Sequence, residues 1–266
     1  MACSDNALSV RFLGTDSCTP TKGNNTASMV VDGRILIDTG WYLTDRLLAS
    51  DIDPLAIEAV LLTHCHHDHI MGLPQLIFTY GIRRNARPDR PLHIFGPADE
   101  VGRVVADAQR YLQHDRYPEL AFDIEVHNLA GGEGFELGDL RVAACAARHN
   151  VPGLHYRLDN ATGASVAFSG DTAYNPALVE LARGAGLLVH EASHGATATR
   201  ATGAVGHSGA PDAADVAVEA GVGRLALVHC GQRAREAALA AAQAIFGDAF
   251  FPEEGEQIVV SGREEG

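Results

Sequence analysis

Short apolar runs alternate along the chain with amphipathic segments and with turns rich in glycine and proline. The apolar runs predict β-strands at residues 8–13, 29–31, 34–37, 59–62, 92–95, 124–128, 140–146, 155–158, 165–169, 187–189, 225–228 and 257–260. The longer segments are typical of helices and lie at residues 42–49, 72–79, 97–112, 175–183, 210–220 and 233–246. Many strands flanked by helices indicate a layered α/β protein with packed sheets inside.

Side chains that can bind metal ions or transfer protons follow closely after several of these predicted strands. The residues concerned are Asp38, His64, His149, Asp171, Glu191 and His229. The carboxyl ends of strands gather at one edge of a sheet, and the loops there commonly carry function. We therefore expect these side chains to belong to one site.

The densest group is an H-x-H-x-D-H run at residues 64–69, directly after the predicted strand 59–62. Its imidazole and carboxylate groups together suit zinc, iron or manganese. His64 and His66 can point to one ion while Asp68 and His69 turn toward a second. This division predicts a two-metal hydrolytic site.

Composition narrows the class of protein. The chain has 266 residues, of which 46% are hydrophobic and 20% charged, and we predict one globular domain over residues 1–266. No apolar run reaches the length of a membrane span, and the first residues lack a basic start with an apolar signal core. These features predict a cytoplasmic protein without membrane contact. The five cysteines form no C-x-x-C pair, which argues against a disulfide framework.

The chain is strongly acidic, with a formal net charge of −14. An acidic surface repels phosphate backbones at long range, so a nucleic-acid polymer is not the expected substrate. Local basic patches are present in the sequence around residues 83–84 and 87–90. The charge favours a small-molecule substrate.

Several motifs, taken in order, resemble those of the metallo-β-lactamase superfamily. The central motif at residues 63–69 with the following I-M-G-L-P, and the S-G-D-T sequence at residues 169–172, are similar to the two signatures of that superfamily. Within it, the likeness is closest to ribonuclease Z and its small phosphodiesterase relatives. This finer likeness comes from F-L-G-T at 12–15, F-G-P at 95–97, H-E-A at 190–192 and G-H-S at 206–208.

The resemblance implies a four-layer αββα sandwich with two divalent ions at one edge, most often Zn²⁺, with Mn²⁺ or Fe as alternatives. It implies a first metal held by His64, His66 and His149, a second held by Asp68, His69 and His229, and Asp171 bridging the two. Asp38 matches a position that orients ligands. A homodimer is expected by analogy with relatives.

The expected chemistry is attack by a metal-bound hydroxide, because two bound ions lower the pKa of water toward ~7. Asp68 would accept the remaining proton and orient the nucleophile. Glu191 and His207 match a pair that assists the leaving group in the ribonuclease Z branch. We expect His207 to donate the proton and Glu191 to orient it, which favours a phosphodiester substrate.

Alternative functions remain open. The leading hypothesis is a hydrolase of small or cyclic phosphodiesters, and the second is an acyl hydrolase for lactones, thioesters or esters. Cleavage at the 3′ end of tRNA is third, because ribonuclease Z carries a tRNA-gripping arm after the third metal histidine. Here His149 and Asp171 are only 22 positions apart. A di-iron oxidoreductase and a non-catalytic metal scaffold complete the alternatives.

Other histidines stand outside these motifs. A lone histidine is most often a surface or core residue, so we assign no role to His93, His114 or His127. His155 is an alternative to His149 as the third ligand, although it is expected to start the next strand. Residues 195–206, rich in alanine, threonine and glycine, are either a lid beside the site or an ordinary surface loop.

Overall fold

Fourteen strands, seven α-helices and four single-turn 3₁₀ helices make up the regular structure of the residues that the computed structural model describes, 6–83, 90–202 and 206–262. The strands, β1 to β14 in chain order, are Ala7–Gly14, Ser28–Val31, Ile35–Ile37, Ala59–Leu61, Leu92–Pro97, Ile124–Leu129, Gly134–Leu137, Leu140–Ala146, Leu154–Asp159, Ser165–Phe168, Leu187–Glu191, Arg224–Val228, Ala249–Phe250 and Gln257–Ser261. The α-helices, α1 to α7, are Leu43–Ala49, His67–Ile70, Leu73–Arg83, Val101–Tyr111, Pro176–Leu181, Ala210–Ala220 and Arg235–Gln243.

The strands form two mixed sheets of seven strands each. The first sheet has the order β14-β1-β2-β3-β4-β5-β6, and the second has the order β13-β12-β11-β10-β9-β8-β7. Apolar side chains from both sheets, including Phe12, Tyr156 and Phe168, meet in a shared core. Helices α1, α3 and α4 cover the outer face of the first sheet, and α5, α6 and α7 cover that of the second. The predicted αββα sandwich is confirmed.

Burial on both faces explains why the central strands read as continuous apolar runs. In β4, Ala59 and Leu61 face the second sheet, whereas Val60 faces the helices. Helix α3 shows the complementary pattern, because its buried residues Leu73, Leu76, Ile77 and Tyr80 follow the period of a helix with one apolar face. Within the described part of the chain, no helix combines the length and apolar character needed to cross a membrane.

Some elements differ from the sequence-based prediction. Strands β7 and β13 were not predicted, because β7 is an exposed edge strand with a glycine and β13 has only two residues. The helix predicted from residue 97 begins at Val101, since Pro97 is still paired in β5. Helix α2, a single turn, lies inside the H-x-H-x-D-H run and was not predicted either. The basic patches around residues 83–84 and 87–90 lie mostly outside the described residues.

Parallel pairing brings the important strand ends to the same edge. Strands β3, β4 and β5 run parallel in the first sheet, and β10, β11 and β12 run parallel in the second. The loops that follow β3, β4, β10 and β12 therefore leave their sheets at the carboxyl ends of parallel strands. These loops carry Asp38, residues 64–69, Asp171 and His229.

A buried hydroxyl links the two sheets just before the H-x-H-x-D-H run. Tyr156, on β9, donates a hydrogen bond of 2.9 Å to the carbonyl oxygen of Leu62, which follows β4. Both residues are fully buried. We expect Tyr156→Phe to lower the free energy of unfolding by about 1–2 kcal/mol, because the carbonyl loses its partner away from water. Urea unfolding measures this change, and Tyr111→Phe at an exposed position is the control. Equal stabilities for wild type and Tyr156→Phe would contradict the expectation.

Candidate metal centre

All seven residues expected to bind metal lie together at one edge of the sandwich. His64 and His66 follow β4, and Asp68 and His69 lie in α2, the turn of helix that comes next. The remaining three residues, His149, Asp171 and His229, follow β8, β10 and β12. Their ligand-type atoms form adjoining groups, each within 4.8 Å. Segments that are far apart in the sequence thus converge as the strand-end pattern predicts.

Three imidazoles and one carboxylate form the first group. His66 Nδ1 lies 3.1 Å from His64 Nε2 and 3.1 Å from His149 Nε2. Asp171 Oδ2 lies 3.7 Å from His64 Nε2. His64 and Asp171 are buried, whereas His66 and His149 are partly exposed, so this group borders solvent.

The second group is buried throughout and shares Asp171 with the first. Asp68 Oδ2 lies 3.3 Å from His69 Nε2 and 3.1 Å from His229 Nε2. Asp171 Oδ1 lies 3.6 Å from His69 Nε2, and its Oδ2 lies 3.5 Å from His229 Nε2. One carboxylate therefore contacts both groups, which is the geometry that a bridging ligand requires.

The outward-facing ring nitrogens have their own partners, and these orient the rings. His69 Nδ1 donates to Asp38 Oδ2 at 2.7 Å, and His149 Nδ1 donates to the Gly206 carbonyl oxygen at 2.6 Å. His229 Nδ1 lies 2.8 Å from Ser193 Oγ. Because the Nδ1 atoms of His69 and of His149 carry protons, Nε2 is the nitrogen of each ring that can bind an ion in the site. Nothing in the sequence pattern pointed to Ser193.

A carboxylate–imidazole pair lies beside the two groups. His207 Nδ1 donates to Glu191 Oε1 at 3.0 Å and lies 3.7 Å from Asp171 Oδ2. The side chain of His207 is 30% exposed, while that of Glu191 is 1% exposed. The backbone amide of Thr172 donates to Glu191 Oε1 and that of Ser193 to Oε2, which locks the carboxylate. The pair thus has a fixed inner carboxylate and an outer imidazole that a bound substrate can reach.

A buried aspartate anchors the segment before His207. Asp212, in the first turn of α6, accepts hydrogen bonds from the backbone amides of Gly209, Thr199 and Arg200. The Thr199 hydroxyl also donates to Asp212 and approaches the His207 carbonyl oxygen at 3.2 Å. Of the segment 195–206, proposed as a lid or a surface loop, residues 203–205 lie outside the described residues. The part before them is tied to α6 by Asp212.

The comparisons with known proteins agree with this geometry. A family model described as a beta-lactamase superfamily domain matches residues 33–230. The chain belongs to the metallo-β-lactamase superfamily. A ribonuclease Z of Methanothermobacter thermautotrophicus is 30% identical to this metallo-β-lactamase-fold chain, over 90% of the chain and 92% of the relative. The prediction of a metal-dependent hydrolase that resembles ribonuclease Z is therefore confirmed at the level of the family.

Solved structures show the same fold. The metallo-β-lactamase fold protein YhfI of Bacillus subtilis has a TM-score of 0.77 and 19% identity, over 96% of this chain and 99% of that chain. A diphosphatase of the PhnP family has a TM-score of 0.74 and 19% identity, over 97% of this chain and 99% of that chain. Together with the family match, these likenesses establish the superfamily fold, which implies divalent metal ions.

The side chains of this metallo-β-lactamase-fold protein fit such ions. An imidazole nitrogen offers one proton or one lone pair, so His66 Nδ1 cannot satisfy both nitrogens that lie 3.1 Å away. In the second group, His69 Nε2 is buried and makes no hydrogen bond within the described residues. A cation would satisfy these nitrogens at once. Mixed imidazole and carboxylate donors suit Zn²⁺, Mn²⁺ or Fe²⁺.

The protonation states of the two carboxylates and of two imidazoles in the first group also favour the binding of cations. Burial opposes ionisation of Asp68, but the hydrogen bond from His229 and the neighbouring His69 imidazole outweigh it and hold the pKa of Asp68 far below its usual value. For Asp171 burial again opposes ionisation, and the neighbouring imidazoles lower the pKa well below normal. Burial lowers the pKa of His64 and of His66. At neutral pH the carboxylates are charged and these two imidazoles are neutral, as ligands must be.

Ion binding at the second group competes with protons. Burial lowers the pKa of His69 and of His229, but nearby carboxylates, Asp171 first, outweigh this and raise both pKa values. A cation entering the second group must displace protons from these nitrogens. Its affinity therefore falls as the pH falls.

Asp38 supports the second group from behind. It is buried, adopts a left-handed backbone conformation with φ of 58°, and accepts hydrogen bonds of 2.7 Å from the backbone amide and hydroxyl of Thr63. A non-glycine residue with this φ is uncommon and is often found at functional sites. Asp38 also accepts the hydrogen bond from His69 Nδ1, which fixes the proton on that nitrogen.

We expect Asp38→Asn to weaken metal affinity by about 10–100-fold, the usual effect of losing a partner that orients a ligand. The amide lacks the charge that favours a proton on His69 Nδ1. Competition with a chelator of known affinity measures the change. Asp139→Asn, which alters an exposed carboxylate paired with Arg34, is the control. Unchanged affinity would mean that Asp38 only holds the Thr63 backbone.

Among the described residues, His149 belongs to a group of convergent ligand atoms and His155 does not. His155 is fully buried, donates from Nδ1 to the Ser169 carbonyl oxygen at 2.6 Å, and accepts from Asn175 Nδ2 at 3.0 Å. Both ring nitrogens of His155 make hydrogen bonds, and these bonds hold the loop that carries Asp171.

Cys65 and Cys230 belong to no cluster of convergent ligand atoms within the described residues. Burial raises the pKa of both thiols, that of Cys65 to about 12.

Proposed function

We propose that this protein hydrolyses a phosphodiester bond in a small molecule. The observation that carries the proposal is the Glu191–His207 pair beside the two ligand groups. Hydrolysis of an unactivated phosphodiester expels an alkoxide, which needs a proton as it leaves. A site that opened a lactone or an activated ester would have less need of such a donor.

In this proposal, His64, His66 and His149 would hold one divalent ion, and Asp68, His69 and His229 a second, with Asp171 shared by both. When bound, the ions would supply Lewis-acid activation of water and of the phosphoryl oxygen. Asp68 would orient the attacking water and accept its proton. Zinc is the ion that we propose first, with manganese or iron as alternatives.

The proton donor to the leaving group would be His207. Its Nδ1 is held by Glu191, so its other ring nitrogen is left to contact the substrate. The hydrogen bond from His207 to Glu191 raises the pKa of the imidazole, although burial opposes it. A raised pKa keeps more of the imidazole protonated at neutral pH, which is the state that a general acid needs. Glu191 acts through His207 and is a positioning residue.

Three observations favour a small substrate. Strands β9 and β10 are joined by a tight turn, so the segment between His149 and Asp171 is a compact hairpin without an inserted arm. The alignment with the Methanothermobacter ribonuclease Z extends over 291 residues although it covers 90% of this 266-residue chain, so the relative carries residues that this chain lacks. The net charge of −14 also disfavours a long polyanion.

RNA cleavage is the second candidate function, and the 30% identity to a protein named ribonuclease Z favours it. This likeness supports a nucleic-acid substrate, which the net charge of −14 disfavours. Acyl hydrolysis is the third outcome that an experiment must separate, since the same ligand groups would serve it.

One activity panel separates these functions. The metal-loaded protein is assayed with bis(p-nitrophenyl) phosphate, cyclic nucleotides, a lactone and thioester panel, and a precursor tRNA with a 3′ extension. We expect turnover of the small phosphodiesters that stops on chelation and returns with Zn²⁺ or Mn²⁺. Faster turnover of an acyl substrate, or efficient cleavage of the precursor tRNA alone, would overturn the proposal.

A further inference from the structure

A further cluster of side chains that can bind a metal ion lies on strands β5 and β6, outside the candidate metal centre. His93 is on β5, and Glu125 and His127 are on β6, the last strand of the first sheet. In the parallel register His93 pairs with Glu125, and Phe95 pairs with His127. His93 Nδ1 lies 3.1 Å from His127 Nε2 and 3.3 Å from Glu125 Oε2, and the remaining separation is 3.9 Å.

These separations match a tetrahedral transition-metal site. With metal–nitrogen bonds of about 2.0–2.1 Å, ligand atoms in tetrahedral zinc sites lie roughly 3.3 Å apart. The ring of His127 is also held in place, since it stacks on Phe95 with centroids 4.2 Å apart, and Phe95 stacks on Phe135 at 4.6 Å. Stacking therefore orients the His127 ring toward this cluster.

The chemistry of the donor atoms indicates which metal ions this cluster can bind. Two imidazoles and one carboxylate suit Zn²⁺, Co²⁺, Ni²⁺ or Cu²⁺ better than Mg²⁺ or Ca²⁺. Burial and the neighbouring His93 lower the pKa of His127, which favours the neutral ring. The side chains of His93, Glu125 and His127 are 31%, 55% and 36% exposed, so water can complete the coordination.

We propose that His93, Glu125 and His127 bind a third divalent transition-metal ion, which ties the edge strand β6 to β5. The site is separate from the proposed hydrolytic centre. His93 pairs with Ala59 at the start of β4, whereas His64 lies five residues further along the same segment. Phe95, the register partner of His127, pairs with Leu61, so the cluster lies within the paired part of the sheet, whereas His64 lies beyond the end of β4. The two sets of ligand atoms form separate groups.

If the three side chains are joined only by hydrogen bonds, a different response to added metal is expected. Without an ion, one N–H between the rings and one bond to Glu125 could account for the same contacts, and added metal would then change nothing. An ion instead links two strands of the native sheet and raises thermal stability, because the unfolded chain does not hold the three ligands together.

Zinc stoichiometry and thermal stability test the proposal. Untagged protein is dialysed to equilibrium against micromolar Zn²⁺ and its metal content is measured by mass spectrometry. We expect about three ions per chain for wild type and about two for His93→Ala and His127→Ala, with affinity at this site at least ~10-fold weaker in Glu125→Gln. His114→Ala, a histidine in no cluster within the described residues, should match wild type.

A folding defect is distinguished by melting in chelator, where all variants should unfold at the wild-type temperature. Added Zn²⁺ should then raise the melting temperature less in the His93 and His127 variants than in wild type. Phosphodiesterase activity should be unchanged in these variants, so failure here is separable from failure of the proposed function. Equal zinc content and equal melting shifts in wild type and both variants would overturn the third site.

Discussion

Asp171→Ala should lower kcat/KM for a phosphodiester by roughly 10⁴-fold or more, the scale of loss when one member of a group that acts as a unit is removed. Asp171 is the one carboxylate that contacts both ligand groups, through Oδ2 to His64 and His229 and through Oδ1 to His69. The alanine substitution therefore removes the single negative charge that the two groups share. Chelation of the wild-type protein should produce a loss of the same size.

Two measurements accompany this substitution. Metal analysis should show that Asp171→Ala retains fewer ions than wild type at equal free Zn²⁺. Asp171→Asn, which keeps the shape and one oxygen, should retain more metal than the alanine variant while remaining strongly impaired. Asp139→Ala on the exposed surface is the control for loss of a carboxylate. Near-normal activity in Asp171→Ala would refute a shared ligand at this position.

His207→Ala should slow hydrolysis by an amount that depends on the leaving group. For a diester with an alkyl leaving group we expect a loss of about 10²–10⁴-fold, the usual contribution of general acid catalysis. For bis(p-nitrophenyl) phosphate the loss should be much smaller, because nitrophenolate is stable without a proton. A set of diesters with graded leaving-group pKa therefore gives a steeper dependence in the variant than in wild type.

Glu191→Gln tests the supporting carboxylate. The amide can still contact His207 but lacks the charge that raises the pKa of the imidazole. We therefore expect a smaller, leaving-group-dependent loss and a lower pKa for the alkaline limb of the rate profile, where the general acid loses its proton. His194→Ala is the matched control, since its ring lies 6.1 Å from that of His207 and belongs to no cluster of ligand atoms within the described residues. Equal losses across all leaving groups would assign His207 and Glu191 a structural role only.

The predicted site depended on a pattern that is local in the sequence. An apolar run followed by His, Asp or Glu marks the carboxyl end of a buried strand, and this pattern located His64, Asp171, Glu191 and His229. Edge elements were harder to predict. Strand β7, with its alternating exposed residues and a glycine, carries a weak apolar signal, and its pairing with β8 defines it.

Several pairings had no sequence signal because they join residues that are distant along the chain. Ser193 against His229, Gly206 against His149 and Asp212 against Thr199 are of this kind. The same limit applies to His93 and His127, which stand in the sequence as lone histidines. Strand register places them side by side on neighbouring strands.

The sequence by itself determined a layered α/β protein with packed sheets and the residue types at the strand ends, because burial on one face or two leaves a period that can be read locally. The four-layer αββα arrangement came from the family resemblance. Only the tertiary structure decided which imidazoles share a point in space. His149, not His155, meets His66, because the β8–β9 and β9–β10 pairings point His155 into the loop of Ser169. Proximity between distant residues is set by the packing of two sheets, and no local periodicity records it.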